Sequence, residues 1–341
     1  MAKIFVFGSG SFGTALAVTL SSAGHQIVLW GWEKPFQARL RITRENTDFL
    51  PGVMIPSDIE IVDDTQLIGD CDVVLIATPT FGVRGVAASC KGKLRPDAVL
   101  ACVSKGMELS SLKRMSEIIS EELPGFPVVA LSGPSHAEEV SKEVPTAIVA
   151  ASKDLAAAEV VQELFIGTKV RIYTSTDLIG VELGGALKNV IAFAAGIIDG
   201  MGLGDNSKAA LMTRGLTEIT RLGVALGAKG ETFSGLSGVG DLIVTCTSVH
   251  SRNRRAGYLV GQGCTVEQAV EKVGMVVEGI TATKCAYQMA QQAGVEMPIT
   301  NQIYKLVMGE TTPHQVIAKL MGRPLKHESE SSWLSGVKLP Q

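Results

Sequence analysis

Cysteine pairs are missing from this chain: Cys71, Cys90, Cys102, Cys246, Cys264 and Cys285 never fall into a C-x-x-C spacing. That pattern offers neither a zinc site nor a disulfide framework, so no metal, reduced thiols and a cytoplasmic location are expected. An excess of charge of either sign is missing too, since 31 Lys and Arg against 34 Asp and Glu leave a formal net charge of -3. Such a balance gives no footprint for nucleic acid or an acidic membrane and points to a small-molecule partner. The amino terminus has no basic stretch ahead of an apolar h-region, because the run Ile4 to Phe7 turns at once, so an unexported protein is expected. Later apolar stretches are broken by charge or glycine, and no membrane span is expected. Repeats and low-complexity tracts are absent from the sequence.

What is present is an alternation of short Val- and Ile-rich runs with helical patterns. "KIFVFG", "HQIVLWG", "CDVVLIATPT", "AVLACVSKG", "FPVVALSGPS" and "TAIVAAS" read as strands, most of them closed by Gly, Ser, Thr or Pro. Helical spacing lies between several of them, as in Thr14 to Ala23 and Leu112 to Glu122. This is the signature of βαβ units on a parallel sheet. From about Asp177 the chain turns to long segments with helical spacing and few strand candidates.

The first strand runs into "GSGSFG", Gly8-x-Gly10-x-x-Gly13, and a helix follows directly. In that context Gly8 makes a tight turn, Gly10 lets backbone approach a pyrophosphate, and Gly13 lets helix and strand pack closely. The expected architecture is therefore α/β: a Rossmann-type doubly wound sheet over residues 1–177, an all-α domain over 178–330 and a polar tail over 331–341. Cofactor choice belongs to the end of the second strand, where a carboxylate suits the ribose 2′-hydroxyl of NAD and cations suit the 2′-phosphate of NADP. Glu33 stands there and favours NAD, while Lys34, Arg39 and Arg41 could meet a 2′-phosphate.

Candidate chemistry begins at Lys188, in "VELGGALKNVIAFAAG". On a helix its neighbours three and four residues away are Gly184, Gly185, Ile191 and Ala192, and none is a carboxylate. Such a lysine is either a snorkelling stem or a desolvated amine able to exchange a proton near neutrality. The glycines would let a nicotinamide or a second helix lie close to the backbone. Asp241, in "SGLSGVGDLIVTC", reads either as a helix N-cap or as a carboxylate held beside that amine. In "SVHSRNRRAG" an arginine among hydroxyl and amide donors is what a phosphate needs, although a charge run is usually a solvated face. Lys105, just past a strand in "VSKGME", and Ser132, Gly133 and Ser135 in "LSGPSHAEE" lie at strand ends, where doubly wound sheets bind ligands. His136 could be a proton donor, but it reads first as the polar cap of the next helix.

Taken in order, "GSGSFG", "VSKG", "LSGPSHAEE", "GALKNVIAFAAG", "GVGDLIVTC" and "SRNRRAG" resemble the bacterial-type NAD(P)-dependent glycerol-3-phosphate dehydrogenases, from about Lys3 to Leu320. The resemblance implies reversible reduction of dihydroxyacetone phosphate to sn-glycerol 3-phosphate, the head-group precursor of phospholipids. It makes Lys188 the proton donor, with Asp241 beside it. Substrate contacts would come from Lys105, Gly133, Ser135, Lys188, Asp241, Ser251, Arg252 and Asn253. Beyond Gly8, Gly10, Gly13 and Glu33, dinucleotide contacts would come from Ser11, Phe12, Lys105, Ala137, Arg252, Val276 or Val277, and Glu278.

One departure bears on the cofactor. Where related sequences carry a histidine or arginine after the second strand, this chain has "WGWEK", which sets NAD slightly ahead of NADP. Phe12 also replaces a commoner tryptophan. Two other readings stay open at this point: a related 3-hydroxy acid dehydrogenase, which would need a carboxylate clamp, and a non-catalytic NAD-sensing module. A homodimer is the only protein partner entertained.

Overall fold

The computed structural model describes residues 1–325 and Glu328, so the expected tail over 331–341 lies outside the described residues. One sheet contains β1 (Lys3–Phe7), β2 (Gln26–Trp30), β3 (Glu60–Val62), β4 (Val73–Ile76), β5 (Val99–Cys102), β6 (Val128–Ser132), β7 (Thr146–Ala151) and β8 (Val170–Ser175). Its order is β3-β2-β1-β4-β5-β6-β7-β8. The switch from descending to ascending order falls beside β1, where open α/β sheets place their ligand crevice. Flanking the strands are α1 (Ser11–Ser22), α2 (Lys34–Thr43), α3 (Val83–Ser89), α4 (Met115–Glu122), α5 (Ala137–Val140) and α6 (Leu155–Glu163). Alternate residues of one strand supply both apolar layers: Ile4 and Val6 pack on one face, Phe5 and Phe7 on the other.

All six strands expected from the sequence form, and β3 and β8 join them. The expected parallel sheet needs correction at one seam, for β7 runs antiparallel to β6. The reason is in the connection. Its one helix, α5, has four residues and a length of about 6 Å, too short to return the chain along a strand of roughly 16 Å. The helix expected from Leu112 begins instead at Met115, because Leu112 has a left-handed φ of 58° and Arg114 caps the helix.

The second half is helical: α7 (Leu178–Gly200), α8 (Gly204–Ala225), α9 (Asp241–Thr247), α10 (Arg252–Gly261), α11 (Val266–Val273), α12 (Glu278–Ala293), α13 (Pro298–Val307) and α14 (Pro313–Met321). Asp177 starts α7. Its Oδ1 accepts from Gly180 N at 3.0 Å, and its Oδ2 accepts from Lys229 N at 3.0 Å. Contrary to expectation, glycine does not interrupt α7, which is long and apolar enough to cross a membrane. Yet 89% of its most apolar window is buried, as in the core helix of a globular domain. Its glycines serve packing. A Cβ at Gly196 would lie 2.0 Å from Arg254 O, and one at Gly257 1.9 Å from Phe193 O, so α7 and α10 meet backbone to backbone.

Candidate active site

A cleft of about 760 Å³ opens at the carboxyl ends of the central strands, closed on the far side by α7, α10 and the start of α12. Its dinucleotide end is made by the fingerprint. Gly8 has a φ of 108°, and a Cβ there would meet Ala77 O at 2.7 Å. At Gly13 a Cβ would meet Gly8 O at 1.8 Å, whereas the space at Gly10 is open. Gly10 caps α1 without a side chain, leaving the first N–H groups of that helix for an anion. These features fit a dinucleotide pyrophosphate. Ser11, Phe12, Ala137 and Val276 line the same cleft.

Two ammonium groups and one carboxylate form its chemical centre. Lys188 projects from α7 and is only 5% exposed, which settles the choice between snorkelling and desolvation in favour of the buried amine. It donates to Asp241 Oδ1 and, at 2.7 Å, to Thr245 Oγ1. Lys105, on the loop after β5, donates to Asp241 Oδ2 at 2.9 Å, to Gly133 O at 2.7 Å and to Ser135 Oγ at 3.3 Å. Asp241 is the first residue of α9, after a π-turn over Leu236–Gly240, and its side chain serves the lysines rather than a cap. Burial opposes the Asp241 charge, but Lys105 and Lys188 outweigh it and hold the carboxyl below its usual range. Burial pushes the Lys188 ammonium down to about 8, against Asp241 and with help from Lys105. One carboxylate shared by two lysines leaves the centre net positive, and Lys188 can lose its proton near neutrality.

The two glycines before Lys188 admit protein. A Cβ at Gly184 would strike Ser237 O at 2.5 Å, and one at Gly185 Ser132 Oγ at 2.4 Å, so the π-turn and β6 lie against α7 there. Gly13, Gly133 and Asp241 stand behind the cleft wall, while Lys105, Ser135, Lys188, Ser251, Arg252, Asn253 and Glu278 line it.

The "SRN" residues divide their labour. Ser251 caps α10, accepting from Arg254 N at 3.2 Å. Asn253 Nδ2 donates to Asn189 Oδ1 and its Oδ1 accepts from Gly279 N, both at 2.9 Å, which ties α10 to α7 and α12. Arg252 is exposed on the cleft wall, with Glu278 and Glu138 near enough to favour its charge. His136 occupies the cap position of α5 but makes no cap bond, a correction to the sequence reading; its Nε2 is buried without a partner. Burial, with Lys188 next, keeps that imidazole below its ordinary range and therefore neutral.

At the other end of the cleft Glu33 is exposed and lines the opening, beside Trp32, Phe36 and Phe49. Two nearby cations are already engaged. Arg39 pairs with Asp48 and lies 5.2 Å from the Phe36 ring centre, and Arg41 reaches Asp63 at 3.1 Å. Sequence reasoning missed Thr245, Asn189 and these aromatic residues. Thr245 follows Asp241 by four residues, one helical turn, so a helix drawn from Asp241 would have placed both on one face.

The chain matches the profile of the NAD-dependent glycerol-3-phosphate dehydrogenase amino terminus over residues 3–158 and that of its carboxyl terminus over residues 177–318. Glycerol-3-phosphate dehydrogenase (NAD(P)+) of Desulfitobacterium hafniense is 48% identical over 330 residues, covering 97% of this chain and 94% of that protein. The Thermoanaerobacter sp. enzyme of the same name is 51% identical over 327 residues, covering 96% and 98%. The crystal structure of glycerol-3-phosphate dehydrogenase from Coxiella burnetii superposes with a TM-score of 0.91 at 35% identity, covering 94% of this chain and 99% of that one. With both halves of the fold matched in order, and with Lys188 and Lys105 sharing Asp241, the chain belongs to the NAD-dependent glycerol-3-phosphate dehydrogenase family.

Proposed function

We propose that this enzyme reduces dihydroxyacetone phosphate to sn-glycerol 3-phosphate at the cleft, with Lys188 as the proton donor. The observation that carries the assignment is the buried Lys188 amine, whose carboxylate partner Asp241 is shared with Lys105. When bound, the reduced dinucleotide supplies two electrons and a hydrogen to the ketone carbon. Negative charge then grows on the ketone oxygen, where a desolvated ammonium is worth most. Lys188 gives its proton to that oxygen and takes one back in the reverse reaction. Asp241 orients both lysines from behind and keeps Lys188 from leaving its position. Lys105, positioned by Gly133 O and Ser135 Oγ, adds a second positive charge at the reacting end. Arg252 takes the substrate phosphate, which is remote from the reacting carbon and orients it.

NAD(P) is the cofactor, and we read Glu33 as tilting the choice to NAD. The engagement of Arg39 and Arg41 with Asp48 and Asp63 supports this, because a 2′-phosphate would have to compete with those carboxylates. A cytoplasmic location, a homodimer and a role in supplying phospholipid precursors accompany the proposal. Light scattering tests the dimer. Oxidation of NADH and of NADPH by the purified enzyme, with and without dihydroxyacetone phosphate, tests reaction and preference together. Turnover that requires the phosphorylated ketone and is faster with NADH is expected; equal turnover of a phosphate-free 3-keto acid would favour the hydroxy acid reading.

A further inference from the structure

Arg252 has two carboxylates within electrostatic reach, Glu278 and Glu138, and all three line the cleft. A carboxylate is the natural partner of a guanidinium, and either one would be expected to close on this exposed arginine. Neither does. Among the described residues Arg252 makes no hydrogen bond or ion pair. Glu138 has its Oε1 3.9 Å from His250 Nδ1. Glu278 is held by Thr80, whose backbone N–H donates to Oε1 at 3.1 Å and whose hydroxyl donates to Oε2 at 2.8 Å. Both oxygens of Glu278 thus have neutral donors. The Thr80 methyl is seated over Gly106, where a Cβ would come within 2.5 Å of Thr80 Cγ2, so a glycine beside Lys105 makes room for this rotamer.

We propose that Thr80 is a positioning residue for substrate binding, holding the Glu278 carboxylate off Arg252 so that the guanidinium stays unpaired for an incoming phosphate. The inference rests on the assignment of Arg252 to the substrate phosphate. Thr80 lies on the loop after β4, 198 residues from Glu278, so a residue of the dinucleotide half sets the charge available on the substrate side. Neutral donors suit this role, because they satisfy the carboxylate without adding a cation that would itself attract phosphate.

The test measures two constants at saturating NADH: the KM for dihydroxyacetone phosphate and the inhibition constant of inorganic phosphate against it. Thr80→Val keeps the shape and removes the hydroxyl donor; it raises both constants about fivefold with kcat nearly unchanged. Thr80→Ser retains the parental values, and Thr80→Ala repeats the experiment in case valine crowds Gly106. The deciding variant is Thr80→Val combined with Glu278→Gln, in which the competing charge is gone. It returns both constants to those of Glu278→Gln alone, a rescue that a merely structural contact would not show. Unchanged constants in Thr80→Val, or a double variant no better than Thr80→Val, overturn the proposal. Arg252→Ala in parallel separates the two assignments. If it leaves both constants unchanged, the phosphate assignment fails; if it raises them while Thr80→Val does not, only the role of Thr80 fails.

Discussion

Lys188 shows what a residue pattern reveals and what it hides. The absence of carboxylates one turn away on its helix left a desolvated amine as one of two readings, and burial chose it. Asp241 was offered as its partner but equally as a helix cap, and the pattern could not choose, because Asp241 lies 53 residues from Lys188 and 136 from Lys105. Those distances close only through the fold. The resulting proton affinity has a direct consequence. With the ammonium near 8, the proposed proton donation by Lys188 predicts that ketone reduction loses rate as pH rises through about 8. Alcohol oxidation needs the free amine and gains rate over the same range. Initial rates in both directions across pH check this; two parallel profiles would argue against a single acid and base. If Arg252 takes the substrate phosphate as proposed, Arg252→Ala raises the KM for dihydroxyacetone phosphate roughly tenfold or more with a smaller effect on kcat, since such a contact would be made in ground and transition states alike.

Among the elements, α7 carries most of the site. It is capped by Asp177, packed through glycines on α10, and presents Lys188 and Asn189 to the cleft. Replacing Gly257 by leucine would force Cβ into Phe193 O, separating the two helices. We expect a loss of about 3 kcal/mol or more in denaturant unfolding, together with loss of activity; a variant of parental stability would contradict the backbone-to-backbone account. The strands were largely legible because buried parallel strands read as continuous apolar runs. Edge strand β8 was not: its residues alternate, with Val170 and Ile172 buried and Arg171 and Tyr173 exposed. Three-residue β3 is too short for any pattern. The antiparallel β6–β7 seam depends on how far α5 carries the chain, which local propensity does not encode.

At the scale of the whole molecule, the halves are joined by polar contacts from distant segments. Thr80 meets Glu278 at the cleft, and Arg114 and Ser116 meet the buried Glu182 of α7. Their order along the chain was readable; their apposition was not. Buried charge also shapes stability within the helical half. Glu218 accepts from Ile299 N at 2.7 Å and Thr300 N at 3.1 Å, while burial pushes its carboxyl up to about 7. A folded-state pKa above the unfolded one means that the native state binds the extra proton. This contribution is present below about pH 4.3 and is lost as pH rises through about 7. Glu218→Gln should therefore flatten the fall of the unfolding free energy across that range, and an unchanged slope would place the proton elsewhere.

Lys188 as the proposed proton donor in reduction of a phosphorylated ketone is separated from a bystander lysine by one comparison. NADH oxidation driven by dihydroxyacetone phosphate is measured for the parent and for Lys188→Ala, with thermal unfolding and NADH binding followed on the same samples. Asp241 keeps Lys105 as a partner in the variant, so folding and NADH binding persist while kcat falls by about 100-fold or more. Undiminished turnover in a folded Lys188→Ala enzyme would rule out Lys188 as the proton donor.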